Sequence, residues 1–277
     1  MILVTDSGAD ILEEEAKEMG VQLVPITASF KEIQFTTNSK ESFEHFYREL
    51  EMREELPISS QPAPSEYTKI YELAKEKDEE VLVVTISSKL SGTYNCAQLA
   101  KEIVGYEKVY VVDSLQASTS QRLLVMYAMK LIQSGKGILE VIDALERGRN
   151  KIVLTGMPET LLYLKKGGRI SPIIAGIGET LNIKPVLLLE DGMIASRKKV
   201  RGSKAGIKEM QHIISEYRLD ERMPVLFGHS NNEEKGEAFM KEIMANLPHN
   251  KGALYAVGPA IGTHIGPNAL LMAFMVI

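Results

Sequence analysis

Along the first half of the chain, short apolar runs alternate with stretches in which apolar residues recur every three or four positions. ILVTD (2–6), VQLVPITASF (21–30), EVLVVTIS (80–87) and KVYVVDS (108–114) have the length and composition of strands. Helical spacing is read at 10–20, where acidic residues come early and Gly20 marks a stop, at 39–54, from about Ser91, at 115–134 and at 137–149. Between 56 and 67 a proline-rich segment reads as a turn, with Ser65 placed to cap the helix after it. Strands alternating with helices in this way imply βαβ units, hence a parallel sheet covered on both faces.

After about residue 150 the pattern changes. PVLLLEDGMIASRKKVR (185–201) places Asp191-Gly192 between two strand-like runs, a strong local signal for a hairpin. Further strands are read at 151–156, 224–229 and 253–258, with helices at 203–217 and 232–246. The expected fold is α/β in two domains. Residues 1–150 form an N-terminal doubly wound, Rossmann-like parallel sheet, and 151–277 a C-terminal α/β domain with antiparallel strands. A chain of 277 residues is long enough for two domains, which directs attention to a cleft between them as the place for a ligand.

Composition narrows the function classes. With 44% hydrophobic and 25% charged residues the chain has the balance of a soluble globular protein, and a net charge of -5 argues against a nucleic-acid binder. The longest apolar run, ALLMAFMVI (269–277), is too short to span a bilayer. No export signal is read at the start, so the cytoplasm is the expected compartment. Cys96 is the one cysteine and is expected to be a buried small apolar side chain, and no His, Cys and carboxylate cluster has metal-ligand spacing. No metal or cofactor is therefore expected.

The candidate chemistry lies where strands end. Asp6-Ser7, Ser87-Ser88 leading to Ser91-Gly92-Thr93, and Asp113-Ser114 bring small polar residues to the carboxyl ends of three expected strands, where open parallel sheets bind ligands. Ser91 is placed to cap a helix whose first N–H groups favour an anion. GHSNN (228–232) partly matches the hydrolase nucleophile turn but has Asn232 where glycine is required. A serine hydrolase using Ser230 or Ser91 with His229 or His264 thus stays open as the alternative. GIGETL (176–181) lacks the third glycine of a dinucleotide fingerprint, and SGKG (134–137) has Lys130 where a phosphate loop needs its first glycine. Two basic runs, Lys165, Lys166 and Arg169 in the first and 197–204 with Arg201 in the second, are candidates for partner docking or phosphoryl contact, or are simply solvated surface. VGPAIGTHIGP (257–267) lets backbone approach a ligand closely and presents His264.

Taken together, VTDSGAD, SSQPAPSEY, ISSKLSGTYN, VVDS, LKKGGRIS, LNIKPVL followed by DG, KKVR and GPAIGTHIGP, in this order over essentially the whole chain, resemble the DegV family. These bacterial proteins bind long-chain fatty acids and include the acyl-carrying subunit of fatty acid kinase. The resemblance implies a non-catalytic carrier holding one fatty acid between two α/β domains and presenting it to the kinase's separate ATP-binding subunit, for acyl phosphate formation in phospholipid synthesis. It assigns carboxylate contacts to Ser59 and Ser91, adds His264 to the same polar end, and gives Arg169 to the kinase or the phosphoryl group; Arg201, from the second basic run, is expected to make the same kind of contact. The family usually has threonine where this chain has Ser59. GPNALLMAFMVI and DSLQASTSQR depart from the family's glycine-rich forms, so a reshaped acyl tunnel is expected, and IQFTTNS lacks a common acidic residue.

The energetics are compatible with such a ligand. Charge-assisted hydrogen bonds of about 1.5–3 kcal/mol each offset part of the carboxylate's desolvation. Burying a tail of about 15 methylenes at ~0.8 kcal/mol each gives a gross gain of roughly 12 kcal/mol before ordering costs. Flexible thioethers among the 13 methionines suit a variable tail, though core filling accounts for most of them.

Overall fold

Runs of Val, Leu and Ile build the first sheet in a computed structural model that describes residues 1–170, 183–247 and 251–277. In chain order the first half comprises β1 (Ile2–Asp6), α1 (Glu13–Met19), β2 (Val21–Val24), β3 (Thr27–Ser29), β4 (Gln34–Phe35), α2 (Lys40–Met52) and β5 (Ile58–Ser60). It continues with α3 (Pro64–Glu76), β6 (Val81–Thr85), α4 (Thr93–Val104), β7 (Val109–Asp113), α5 (Ser118–Gln133) and α6 (Ile138–Gly148). Strands pair in the order β2-β1-β6-β7, all parallel. Alternate residues of these strands enter different cores. Val4, Val81 and Val83 pack with Tyr67 and Tyr71 of α3 and Ala97 of α4, whereas Leu3, Leu82 and Val84 pack with Leu123 and Leu124 of α5. Helices therefore cover both faces, as the near-continuous apolar strands require.

The second half adds β8 (Ile152–Met157), α7 (Leu162–Gly167), β9 (Ile183–Glu190), β10 (Met193–Arg201), α8 (Ser203–Ser215), β11 (Val225–His229), α9 (Glu233–Met244), β12 (Gly252–Ala256), α10 (Pro259–Ile265) and β13 (Leu270–Met275). Its sheet runs β10-β9-β8-β13-β11-β12, antiparallel except for the β11–β12 pair. Asp191 and Gly192 both have positive φ, 49° and 78°, which fits the primed two-residue turn expected there. The inner face of this sheet, with Leu154, Leu226, Leu271 and Ala273, meets α5 in the same core that α5 shares with the parallel sheet. Helix α5 is thus packed between the two sheets, and its N-terminus faces the space between them.

Three expectations need correction. The run 21–30 is two strands, because Pro25 has no N–H to continue the parallel ladder, and β3 leaves to form a small antiparallel sheet, β4-β3-β5. The proline-rich turn contains β5, which pairs with β3. Ser65 does not cap α3, which starts with Ala63 at the N-cap and Pro64, whose missing N–H is tolerated in the first turn. The glycine-rich 257–267 stretch contains a helix, α10, and the apolar run after it is β13, a central strand. GIGETL (176–181) and the first two residues of LNIKPVL lie outside the described residues.

Candidate functional site

The small sheet and α10 bring together side chains far apart in sequence. Ser59 lies on β5 and His264 near the end of α10, and Ser59 Oγ is 2.7 Å from His264 Nε2. Among the described residues His264 Nδ1 is buried without a partner, and a Cβ on Gly167 of α7 would stand 2.2 Å from it, so the imidazole lies directly on that glycine. Burial, with the Arg169 guanidinium adding to it, lowers the His264 pKa to about 4. The ring is therefore neutral at physiological pH. With no such partner at Nδ1, placing its proton on Nε2 leaves that N–H to donate to Ser59, whose hydroxyl proton then turns to a ligand oxygen.

Ser59 and His264 share one cavity of about 260 Å³ with Ser91, Arg169, Gln61 and Ser118. The rest of its wall is largely apolar, including Ile86, Leu154, Leu187, Ile194, Ile265 and Leu271. Ser91 does not occupy the N-cap of α4, which is Gly92; its Oγ accepts the Thr93 N–H and lies 2.8 Å from Thr93 Oγ1. A Cβ on Gly92 would collide with the Gln61 amide at 1.8 Å, so glycine there lets Gln61 lie against the serine loop. Arg169 donates through Nε to the Leu90 carbonyl, which braces the loop bearing Ser91. Arg201 ends β10 on the exposed surface, outside the cavity wall.

The sequence reasoning missed two polar cavity residues. Gln61 stood in SSQPAPSEY and Ser118 in DSLQASTSQR, neither with a role, and the placing of Ser118 depends on a left-handed backbone, φ 54°. Behind Ser118, Asp10 accepts the Ser118 hydroxyl at 2.5 Å and the Gly258 N–H at 2.8 Å, and Gly258 is the N-cap of α10. A single buried carboxyl thus joins the cavity wall to the helix carrying His264. Burial raises the Asp10 pKa to about 7 and that of neighbouring Asp6 to about 6, against opposing hydrogen bonds.

The hydrolase pairings are not assembled. Ser230 is fully buried outside the cavity wall, and its Oγ accepts the Ala269 N–H. His229 Nδ1 accepts the Asn232 N–H, and burial lowers its pKa. Ser91 Oγ engages Thr93, and the hydroxyl beside His264 is that of Ser59. A serine hydrolase of the Ser-His type needs a serine within reach of a base and a group orienting that base. His264, held weakly basic and with no described residue orienting it through Nδ1, is a poor base.

The DegV family model, described as uncharacterised protein, DegV family, matches residues 1–276. The chain belongs to the DegV family. A DegV domain-containing protein of Halalkalibacterium halodurans is 32% identical over 276 residues, 99% of this chain and 98% of that one. Among solved structures, a DegV family protein of Thermus thermophilus, described for its fatty acid binding, superposes with a TM-score of 0.89 at 29% identity, covering 99% of each chain. DegV of Bacillus subtilis, described as a fatty acid binding protein, gives a TM-score of 0.86 at 28% identity, covering 100% of this chain and 99% of that one. In this DegV chain no helix of the described residues is long and apolar enough to cross a membrane.

Proposed function

We propose that this DegV protein is a cytoplasmic, non-catalytic carrier of one long-chain fatty acid. The observation that carries the reading is a cavity with hydroxyls and a neutral imidazole among its polar residues and largely aliphatic walls elsewhere, in a family whose solved members include fatty acid binders. Ser59 and Ser91 hold the carboxylate by hydrogen bonds, His264 completes the same polar end by donating to Ser59, and the tail lies along the apolar wall between the two domains, whose boundary falls near residue 150. Hydroxyl donors suit a carboxylate, because charge-assisted bonds of about 1.5–3 kcal/mol recover part of its lost hydration.

The carrier presents this carboxylate to the ATP-binding subunit of a fatty acid kinase. A carboxylate oxygen attacks the γ-phosphorus of ATP, ADP leaves, and the acyl phosphate passes to phospholipid synthesis. Arg169 and Arg201 contact the kinase or the transferring phosphoryl group, where a guanidinium's paired donors match phosphate oxygens. The test is native mass spectrometry of the purified protein, followed by denaturation and identification of what is released. One long-chain acid per chain is the expected result; a protein that carries none and takes up none when delipidated and refilled would overturn the carrier reading. Adding a purified kinase subunit and ATP then checks acyl phosphate formation, with Arg169→Ala expected to reduce it and unchanged turnover removing Arg169 from the scheme.

A further inference from the structure

Across the inner face of the six-stranded sheet, side chains in one register row stand beside each other. In the row through Leu271 on β13, the directly paired residues are Gly156 on β8 and Gly228 on β11, so both flanks lack a side chain. Leu271 and Gly156 both line the cavity. A Cβ on Gly156 would lie 2.6 Å from Leu271 Cδ2, and one on Gly228 would lie 3.1 Å from Leu271 Cβ. The isobutyl group therefore leans over Gly156 and fills the notch that this glycine leaves in the sheet. Beyond Gly156 the row continues to Leu187 on β9, which also lines the cavity. Leu271 is consequently the side chain that covers Gly156 in the cavity wall beside Leu187, whereas over Gly228, outside that wall, it is joined by Thr119 Cγ2 of α5.

Resting on the fatty-acid reading above, we propose that Leu271 is a length-determining residue that sets how many carbons of the acyl tail this protein accommodates. Cutting leucine back to alanine removes three carbons at a site where neither directly paired residue has a side chain to refill the space. Leu271→Ala should admit a tail longer by about two or three carbons, because the freed volume is apolar and continuous with the cavity. Each further methylene buried is worth about a fourfold gain in affinity. Leu271→Val, which removes a single carbon and introduces a β-branched residue well suited to a central strand, should shift the optimum less and protects the test against an alanine variant that fails to fold.

The experiment titrates delipidated wild type, Leu271→Val and Leu271→Ala with saturated acids from decanoic to eicosanoic. The expected result is an optimum that moves to longer acids in the order wild type, valine, alanine, with the alanine variant gaining about tenfold or more relative to wild type on an acid two carbons beyond the wild-type optimum. Uniform weakening across the series with an unchanged optimum would make Leu271 a packing residue and overturn the proposal alone. A wild type that binds none of the acids would remove the fatty-acid reading, and the length determinant with it.

Discussion

Replacing Asp10 by asparagine tests whether the carboxyl joining Ser118 to α10 is as costly to ionise as its burial implies. The Asp10→Asn side chain can retain both contacts: its amide oxygen accepts the Gly258 N–H and its NH₂ donates to Ser118 Oγ, so the change is chiefly one of charge. Asp10 is 2% exposed, and burial lifts its pKa from 3.8 to about 7. Because the folded value lies above the unfolded one, folding binds a proton more tightly. The stability this confers is complete below about pH 4 and is lost as pH rises through about 7. A separation of about three pH units at 1.36 kcal/mol each amounts to roughly 4 kcal/mol. The assay is urea unfolding of both proteins from pH 4 to 8, and the stability of Asp10→Asn relative to wild type should rise by about that amount across the range. The opposite linkage of His264, whose lowered pKa stabilises above about 6.5 and is lost as pH falls towards about 4, is common to both proteins and cancels in the difference. A difference that stays flat with pH would refute the reasoning, since Asp10 would then ionise as easily folded as unfolded.

The polar end yields three more expectations. Ser91→Ala removes one hydroxyl from the proposed carboxylate site and should weaken palmitate binding by about tenfold to a hundredfold in calorimetric titration, the range set by one charge-assisted hydrogen bond; undiminished affinity would exclude Ser91. The His264 imidazole should titrate near pH 4 by NMR and rise in Arg169→Gln, whereas a midpoint of 6 or above would contradict both its burial and the influence of Arg169. Gly167→Ala places a Cβ 2.2 Å from His264 Nδ1, an overpacking worth about 1–3 kcal/mol, and should displace the ring from Ser59 and weaken acid binding. Wild-type binding in that variant would mean that the imidazole's position is immaterial to the site.

How much of this was legible in the sequence follows from the range of the interactions involved. The parallel sheet and the β9–β10 hairpin were readable because periodicity and turn chemistry act within a few residues, and Asp191-Gly192 carries its geometry in its own backbone angles. Strand β13 was not, since nine successive apolar residues have no period that separates a buried strand from a buried helix. Short β3, β4 and β5 are stabilised by pairing with one another, and no single one of them announces its partner. Family resemblance located Ser59, Ser91, Arg169 and His264 along the chain, and the fold supplies what residue order cannot. His264 is neutral because it is buried beside Arg169, and it reaches Ser59 across 205 positions because α10 packs against the small sheet. Asp10 belongs to the same class. An aspartate in a polar opening motif looks like solvated loop until the Gly258 N–H, 248 residues away, is found on its carboxylate. The α10 N-cap and the cavity residue Ser118 thus share one support, so a change at the Asp10 charge is felt at the polar end of the cavity through hydrogen bonds that are already in place.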